Sequence, residues 1–497
     1  MAAADATEAR SSEEDAPSPV PHSVWTFSTY FAEGFPYNIV HKLAEIFFAD
    51  MGASLSAIGL TSLFHLPLNL KFLWAAWADT YGSKRTWLIG AELALAVAVA
   101  GLAVVAGTEA LGPVSVLFVV VALMMATHDI AIDGFYLEAL GPRLQAKLVG
   151  LKAPSYRAAL LVVGGPLLAG IGVLGWSFGF ATCAVALLAL SLLHAFILPR
   201  VPQQKESFRR FWWGRPGLIV AGVALILGLL LARMLQGVEG MELPAWLSAR
   251  NLSLGLVTLI LAGGFLGARF ARQRFARSSS PFARGFVAFM AQPKVGHMLA
   301  FILLFRVGES FLEKMRFVFL LQHGMTKEFY GLAQGTVGMV AALVAPLLGG
   351  WLIARDGLRR WIWPFVLAQN VLNLLYAGLA LAVEGTEVGL WTMGIVIIVE
   401  MFGAGLGTAV FMVFIMRCCM PEHRAAHMAL LTSMMSVGWT VAGTVSGVIA
   451  ESVGFAGYFF FTFLATLPGM FLIWGLPHLD AEADPPSPDA GRTAAGE

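Results

Sequence analysis

Charged residues are scarce in this sequence, and cysteines are almost absent. Asp, Glu, Lys and Arg make up 13% of the 497 residues, whereas a soluble domain carries about 25%. This shortage excludes an ordinary soluble domain. The three cysteines, Cys183, Cys418 and Cys419, lie within or beside apolar runs and predict no disulfide framework. The net charge of +1 gives no reason to expect a nucleic-acid partner.

Sequence signatures of enzyme chemistry are also missing. The chain has no Gly-x-Ser-x-Gly elbow, no phosphate-binding loop and no His/Cys spacing typical of a metal site. We therefore expect no enzymatic activity, no cofactor and no metal. The first apolar stretch is long and follows acidic residues, so no cleavable signal peptide is predicted.

Long hydrophobic runs, in contrast, recur along the whole chain. Hydrophobic residues make up 58% of it, and the mean hydropathy is +0.76. Backbone groups in lipid must be satisfied internally, so runs of about 20 apolar residues predict membrane-spanning helices. We predict about fourteen spans, at 24–48, 55–77, 87–107, 114–137, 149–173, 176–198, 217–236, 250–270, 295–320, 328–353, 361–382, 389–415, 427–450 and 456–475. The predicted fold class is therefore an all-α polytopic membrane protein.

Basic residues concentrate in every second loop of this pattern. Lys84 and Arg85 follow the second predicted helix, and Arg359 and Arg360 follow the tenth, whereas the alternate loops carry mostly acids such as Glu384. The positive-inside rule therefore predicts cytoplasmic basic loops and two cytoplasmic termini.

The loops after the second and tenth helices share one pattern. Asp79, Gly82, Lys84 and Arg85 give an acid, a glycine and a basic pair, and Gly357 precedes a basic pair in the second loop. Glycine permits a tight turn. The repeat predicts two halves, which is a transporter architecture. The predicted organisation is a disordered tail at 1–22, a six-helix bundle at 23–200, basic loops with an inserted helix pair at 201–294, a second six-helix bundle at 295–477 and a disordered tail at 478–497.

Two carboxylates near the end of the fourth helix are candidates for proton coupling. Asp129 and Asp133 lie one helical turn apart and so share a face, which cannot be left in lipid. Lys71, Lys152 and Arg157 are expected at the same end of the first bundle. A structural ion-pair network that closes an inner gate is the alternative interpretation.

The predicted helix at 295–320 carries four charges on one stripe. Arg306, Glu309, Glu313 and Arg316 are spaced by three, four and three residues. The forked guanidinium of Arg306 suits a substrate carboxylate, with an intrahelical Arg–Glu pair as the alternative. Glu309 is a further candidate for the coupled proton. The candidate substrate-binding residues are Glu33, Tyr37, Lys71, Arg157, Arg306, Glu313 and Glu400.

Aromatic residues are too numerous to mark a site by themselves. Tyr37, Tyr156 and Trp439 lie beside polar or small residues and are candidates for stacking on sugar faces, with ordinary packing as the alternative.

Six short segments carry a family resemblance. They are residues 33–36 (EGFP), 58–60 (IGL), 70–74 (LKFLW), 128–133 (HDIAID), 304–309 (LFRVGE) and 401–408 (MFGAGLGT). Together they resemble the AmpG muropeptide permeases, and the loop at 79–85 resembles the loop motif of the major facilitator superfamily to which these permeases belong. The resemblance extends over nearly all of 24–477. His128 stands where the family has Gln, and Arg306 and Glu309 stand where it has Lys and Asp.

The resemblance implies a major facilitator fold and a transport function. We expect a monomeric, proton-coupled importer of the inner membrane that moves anhydro-muropeptides from periplasm to cytoplasm for cell-wall recycling. Its partners would be an amino-sugar peptide, protons and the lipid bilayer. A siderophore or acyl-CoA permease is the alternative cargo class. A non-transporting membrane sensor or an integral-membrane enzyme is the alternative of another class.

Overall fold

The helices begin and end close to the predicted spans. The computed structural model describes residues 16–108, 111–201, 281–420 and 424–479, together with the single residues 251, 255 and 258. The N-terminal helices are α1 (His22–Asn38), α2 (Ala44–Asp50), α3 (Leu55–Leu60), α4 (Leu66–Leu70), α5 (Phe72–Thr80), α6 (Lys84–Val105), α7 (Leu111–Ala139), α8 (Pro142–Val162), α9 (Leu168–Leu174) and α10 (Trp176–Ile197). The C-terminal helices are α11 (Pro281–Met290), α12 (Val295–Leu304), α13 (Val307–Gln322), α14 (Lys327–Tyr330), α15 (Met339–Asp356), α16 (Leu358–Val371), α17 (Asn373–Gly385), α18 (Leu390–Cys418) and α19 (Arg424–Leu472).

Nine helices in this part of the chain are long and apolar enough to cross a membrane. The last of them, Met434–Gly475, spans two predicted crossings, because Gly454 breaks the helical geometry with a φ of 70°. The predicted spans at 217–236 and 250–270 lie outside the described residues, apart from the three single positions. The total of about fourteen spans therefore remains a prediction.

The surface of the molecule is apolar, and its interior holds charges. Phe196, Leu347 and Trp391 expose 80%, 75% and 74% of their surface. Glu92 and Lys314, in contrast, are 0% and 2% exposed. A bilayer solvates an apolar surface but not a charge, so this distribution is the one expected of a membrane protein.

Several helices depart from regular α winding where they approach the centre. Three segments wind as π-helix, namely Ile39–Leu43, Val163–Leu167 and Gly331–Gly338. Such wide turns occur often at functional sites. The predicted span at 295–320 is also interrupted, because Arg306 has non-helical angles (φ −101°, ψ 4°) and separates α12 from α13.

The N-terminal and C-terminal helices pack mainly among themselves. In the N-terminal part, α6 packs on α7 and α10, and α1 packs on α7 and α8. In the C-terminal part, α18 packs on α15 and α16, and α19 packs on α13 and α17. Two seams join the parts. Helix α3 contacts α19, and the π segment Val163–Leu167 contacts the π segment Gly331–Gly338.

Glycines make the second seam possible. A Cβ at Gly335 would overlap the carbonyl oxygen of Gly164, and one at Gly331 would lie 2.9 Å from the carbonyl oxygen of Gly165. The two backbones therefore touch directly, and any side chain at Gly335 would force them apart.

Gly335→Ala is therefore expected to abolish uptake by preventing closure at this seam. Asn38 lines a cavity between the N-terminal and C-terminal helices. A cysteine placed there should react faster with a membrane-impermeant maleimide in the same variant. Gly350→Ala is the matched control, because no described atom lies within 4 Å of a Cβ there. Wild-type uptake by Gly335→Ala would contradict the role of the seam.

The molecule is closed at the end where the acidic loops lie. The carboxylate of Asp50 accepts hydrogen bonds from Lys327 (Nζ–Oδ2 2.6 Å) and Trp176 (Nε1–Oδ2 2.7 Å). The backbone N–H of Ser56 donates to Glu451 at 2.8 Å. At the basic-loop end, in contrast, the side chain of Asp133 is 55% exposed.

Candidate functional site

A cluster of acids and lysines lies toward the basic-loop end, where α1, α4, α7 and α8 meet. Lys71 forms an ion pair with Asp129, and Glu33 lies within hydrogen-bonding distance of the same carboxylate. Lys152 Nζ lies 3.2 Å from Asp133 Oδ1. We call Glu33, Lys71, Asp129, Asp133 and Lys152 the acid cluster.

The acid cluster has more carboxyl groups than cations. Its three carboxyl groups face two lysines, and Tyr30 completes it by donating a hydrogen bond of 2.7 Å to Asp133. Two lysines can neutralise two carboxylates. The third carboxyl group has no lysine to neutralise its negative charge, and a bound proton would neutralise it instead.

The structure brings together four of the five charges expected here. Lys71 contacts Asp129, and Lys152 contacts Asp133, as the helix directions predicted. Arg157 was expected in the same network, but it lines the central cavity beside Arg306 instead.

The central cavity lies between the N-terminal and C-terminal helices and has two lobes. One lobe of about 230 Å³ is lined by Arg157, Arg306, Glu309, Glu313 and Glu400, and we call it the arginine lobe. The other, of about 180 Å³, is the aromatic lobe. Its polar and aromatic lining includes Tyr37, Asn38, His41, Lys42, Glu45, Tyr330, Gln334 and Trp439. The lobes share Leu160, Glu313, Arg316, Met339 and Met401, so they adjoin and their linings are continuous.

Two arginines of the arginine lobe are already paired with glutamates. Arg306 holds Glu309 with both arms of its guanidinium, at 3.0 Å (Nε–Oε2) and 2.7 Å (Nη2–Oε1). Arg316 Nη1 lies 2.5 Å from Glu400 Oε2, and both side chains are almost fully buried. Glu309 and Glu400 therefore balance these two cations.

Arg157 and Glu313 remain without such partners. Neither side chain makes an ion pair or a hydrogen bond with any residue that the structure describes. Arg157 comes from α8 and Glu313 from α13, so each part of the molecule contributes one charged side chain that is held in no ion pair. The charge of Glu313 also acts on Arg306 and Arg316 nearby. The lobe thus offers a positive and a negative contact point to a ligand.

Buried polar contacts cross between the N-terminal and C-terminal helices at the aromatic lobe. Lys314 Nζ lies 3.2 Å from Glu45 Oε2 and donates a 2.7 Å hydrogen bond to Thr61 Oγ1. Lys42 donates to the side-chain oxygen of Gln334. Sequence reasoning missed Lys314, although a lysine inside an apolar run was the available signal.

The repeated loops adopt the turns that their glycines predict. Gly82 and Gly357 have φ angles of 64° and 87°. Lys84 is 4% exposed, and its alkyl chain lies over Gly134. Arg85 Nε donates to the carbonyl of Leu198 at 3.2 Å, which ties this loop to the end of α10. The side chain of Asp79 lies outside the described residues.

A second buried network, also missed from the sequence, lies away from the cavity. Glu92 Oε1 is 2.7 Å from His194 Nδ1 and 3.2 Å from His128 Nε2, and all three side chains are fully buried. Ser28 Oγ lies 2.9 Å from His194 Nε2. The network joins α1, α6, α7 and α10. Among the residues that the structure describes, no three His, Cys, Asp or Glu side chains are arranged to hold a metal ion.

Comparisons with known proteins agree with this architecture. A family model described as Major Facilitator Superfamily matches residues 298–496. An uncharacterized protein of Haemophilus influenzae is 25% identical over 465 residues, which cover 90% of this chain and 93% of that protein. The anhydromuropeptide permease of Escherichia coli K12 is 24% identical over 449 residues, which cover 89% of this chain and 77% of the permease.

Solved structures show the same fold at lower sequence identity. A POT family transporter in complex with a thioalcohol-conjugated peptide superposes with a TM-score of 0.63 at 14% identity, over 92% of this chain and 96% of that one. A second POT family transporter, in complex with 5-aminolevulinic acid, has a TM-score of 0.62 at 13% identity over the same shares.

These similarities, together with the apolar helices, point to a multi-pass membrane transporter rather than an enzyme. In sequence, the chain is similar to an anhydromuropeptide permease, and its C-terminal part matches the major facilitator superfamily.

Proposed function

We propose that the protein is a proton-coupled importer of amino-sugar peptides of the anhydro-muropeptide class. The observation that carries the proposal is a pair of opposite charges in the arginine lobe, Arg157 and Glu313, which form no ion pair with any described residue. A peptide presents carboxylates, and an amine wherever one is free. Arg157 suits the carboxylate and Glu313 the amine. The similar permease of Escherichia coli is named for anhydromuropeptides, which supports the amino-sugar part of the cargo.

The remaining predicted binding residues have places in this proposal. Arg306 and Glu400 border the arginine lobe as members of ion pairs, and Tyr37 lines the aromatic lobe. We assign them to shaping the cavity and, for Tyr37, to contact with cargo. Glu33 and Lys71 belong to the acid cluster, so we assign them to the coupling site. The sequence had suggested that both residues contact the cargo, so this assignment changes their expected role.

We assign the coupled proton to the acid cluster, with Asp129 as its principal carrier and Asp133 beside it. Asp129 contacts both Lys71 and Glu33, so a change in its charge alters the balance of the cluster. Glu309 is the less favoured carrier, because both arms of Arg306 hold it as a carboxylate, whereas the single lysine that pairs with Asp129 also interacts with Glu33.

Uptake into proteoliposomes tests the proposed function. The purified protein should accumulate a labelled amino-sugar peptide under an inward pH gradient, and unlabelled amino-sugar peptide should compete. A siderophore or an acyl-CoA should not compete. Competition by either compound, without competition by the amino-sugar peptide, would assign another cargo. Absence of any uptake would favour a sensor.

We further propose two six-helix bundles at 23–200 and 295–477 around this cavity, with the 201–294 segment inserted between them, in a monomer of the inner membrane. We place the acidic-loop end, which is closed in this structure, at the periplasmic face. This orientation agrees with the excess of basic residues in the loops at the opposite end.

Cysteine labelling is expected to confirm this orientation. The native cysteines are buried, so background labelling by an impermeant maleimide should be low. A cysteine at the exposed position Glu387 should react from outside intact cells, and a cysteine at the exposed position Arg359 should react only after permeabilisation. The reverse pattern would invert the proposed topology.

A further inference from the structure

Two histidines beside the aromatic lobe have no hydrogen-bond partners. The ring nitrogens Nδ1 and Nε2 of both His41 and His65 are buried, and none has a partner among the described residues. His65 is 4% exposed. Buried polar groups are normally satisfied, because leaving them unpaired is costly. Four unsatisfied nitrogens in one place therefore require partners from outside the chain, which water or a ligand would supply.

Aromatic rings enclose the two imidazoles. The planes of His41 and His65 are within 19° of parallel, and the ring centre of Trp439 lies 4.2 Å from that of His65. The ring of Tyr37 lies 3.9 Å from that of His41 on the other side. Tyr37, His41 and Trp439 line the aromatic lobe directly, and His65 lies behind them, in contact with His41 and Trp439.

Among the described residues, the one cation whose charge acts on both imidazoles is already compensated. It is Lys314, which is held by Glu45 and Thr61. The free contact points are therefore aromatic faces and the donors and acceptors of two imidazole rings. A neutral imidazole offers one donor and one acceptor. That pattern matches a ring with an apolar face and polar edges better than it matches a charged group.

We propose that Tyr37, His41, His65 and Trp439 form the subsite for the sugar end of the cargo. Trp439 stacks on the apolar face of a pyranose ring, and the imidazoles exchange hydrogen bonds with its hydroxyl and acetamido groups. This inference rests on the proposed function, in which Arg157 and Glu313 bind the peptide end. The two adjoining lobes then recognise the two chemical parts of one molecule.

Titration calorimetry on the purified full-length protein tests the subsite with two ligands. The first is an N-acetylated amino-sugar disaccharide without peptide, and the second is the same disaccharide carrying its peptide. His65→Phe keeps a ring but removes both nitrogens. It should weaken the binding of both ligands by the same factor, about three- to tenfold. Arg157→Lys should weaken only the peptide-bearing ligand.

Three further variants make the result decisive. Trp439→Leu should weaken both ligands, whereas Trp439→Phe, which keeps an aromatic face, should retain most of the affinity. Trp391→Leu is the matched control, because Trp391 is 74% exposed on the outer surface. If His65→Phe does not fold, as judged by its melting temperature, His41→Phe and Trp439→Leu decide the question.

Failure of the subsite and failure of the proposed function give different results. If the wild-type protein binds neither ligand, the proposed function is wrong. If it binds both, but His65→Phe and Trp439→Leu bind the disaccharide like the wild type, only the subsite is wrong. Loss of gradient-driven uptake with unchanged binding would also overturn the subsite, because it would assign the histidines to proton transfer.

Discussion

Asp129→Asn is expected to abolish uptake driven by a pH gradient and to spare counterflow, the exchange of labelled for unlabelled cargo without net proton movement. The amide cannot take up or release a proton, so accumulation should fall to the level of protein-free vesicles. The fold should survive, because Lys71 can pair with Glu33, which lies beside the same position. Accumulation and counterflow are measured in the same proteoliposomes.

Glu387→Gln is the control for this experiment. It also converts a carboxylate into an amide, but at an exposed position in an acidic loop, so both activities should remain. The proton assignment is wrong if Asp129→Asn accumulates cargo at the wild-type rate under the gradient. Loss of both accumulation and counterflow would instead indicate that Asp129 is needed for binding or for folding.

Arg157→Ala should weaken the binding of peptide-bearing cargo by about 10- to 100-fold, the value expected for losing hydrogen bonds to a charged group. Arg157→Lys keeps the charge but loses the planar two-point contact, so its effect should lie between those of the wild type and Arg157→Ala. Equilibrium binding of native cargo and of cargo with amidated carboxylates measures the effect.

The amidated cargo provides the internal comparison. Wild type and Arg157→Ala should bind it with the same affinity, since its carboxylates no longer need the guanidinium. Arg143→Ala removes an exposed arginine from the same helix, α8, and should change neither affinity. If Arg157→Ala binds native cargo as tightly as the wild type, the proposal that the arginine lobe recognises an anion is wrong.

Helix directions were enough to predict part of the acid cluster. Alternate helices run in opposite directions, so Lys71 and Lys152 had to lie at the same end as Asp129 and Asp133, and their ion pairs confirm this. Arg157 follows Lys152 by five residues, which turns it by about 140° around α8. Its depth in the bilayer was readable from the sequence, but its direction toward the cavity depends on packing.

The arrangement of charges in the central cavity could not be fully predicted, because it depends on contacts between helices that are distant in the sequence. For the stripe of charges at 295–320, the sequence offered an intrahelical Arg–Glu pair as the alternative to a substrate contact of Arg306. Arg306 does hold Glu309, but Arg316 pairs with Glu400 on α18. Local spacing carries no information about a partner 84 residues away. The same reason hid the pairing of His41 with His65 and of Lys314 with Glu45.

The ion pair between Lys314 and Glu45 also has a consequence for the transporter without cargo. The two charges belong to opposite sides of the cavity, and their side chains are 2% and 9% exposed. Opening the acidic-loop end would pull them apart before water could fully solvate either one, and an unpaired buried charge is unfavourable. Separating the two sides of the cavity therefore meets a barrier, which would slow the change of orientation that the proposed transport cycle requires.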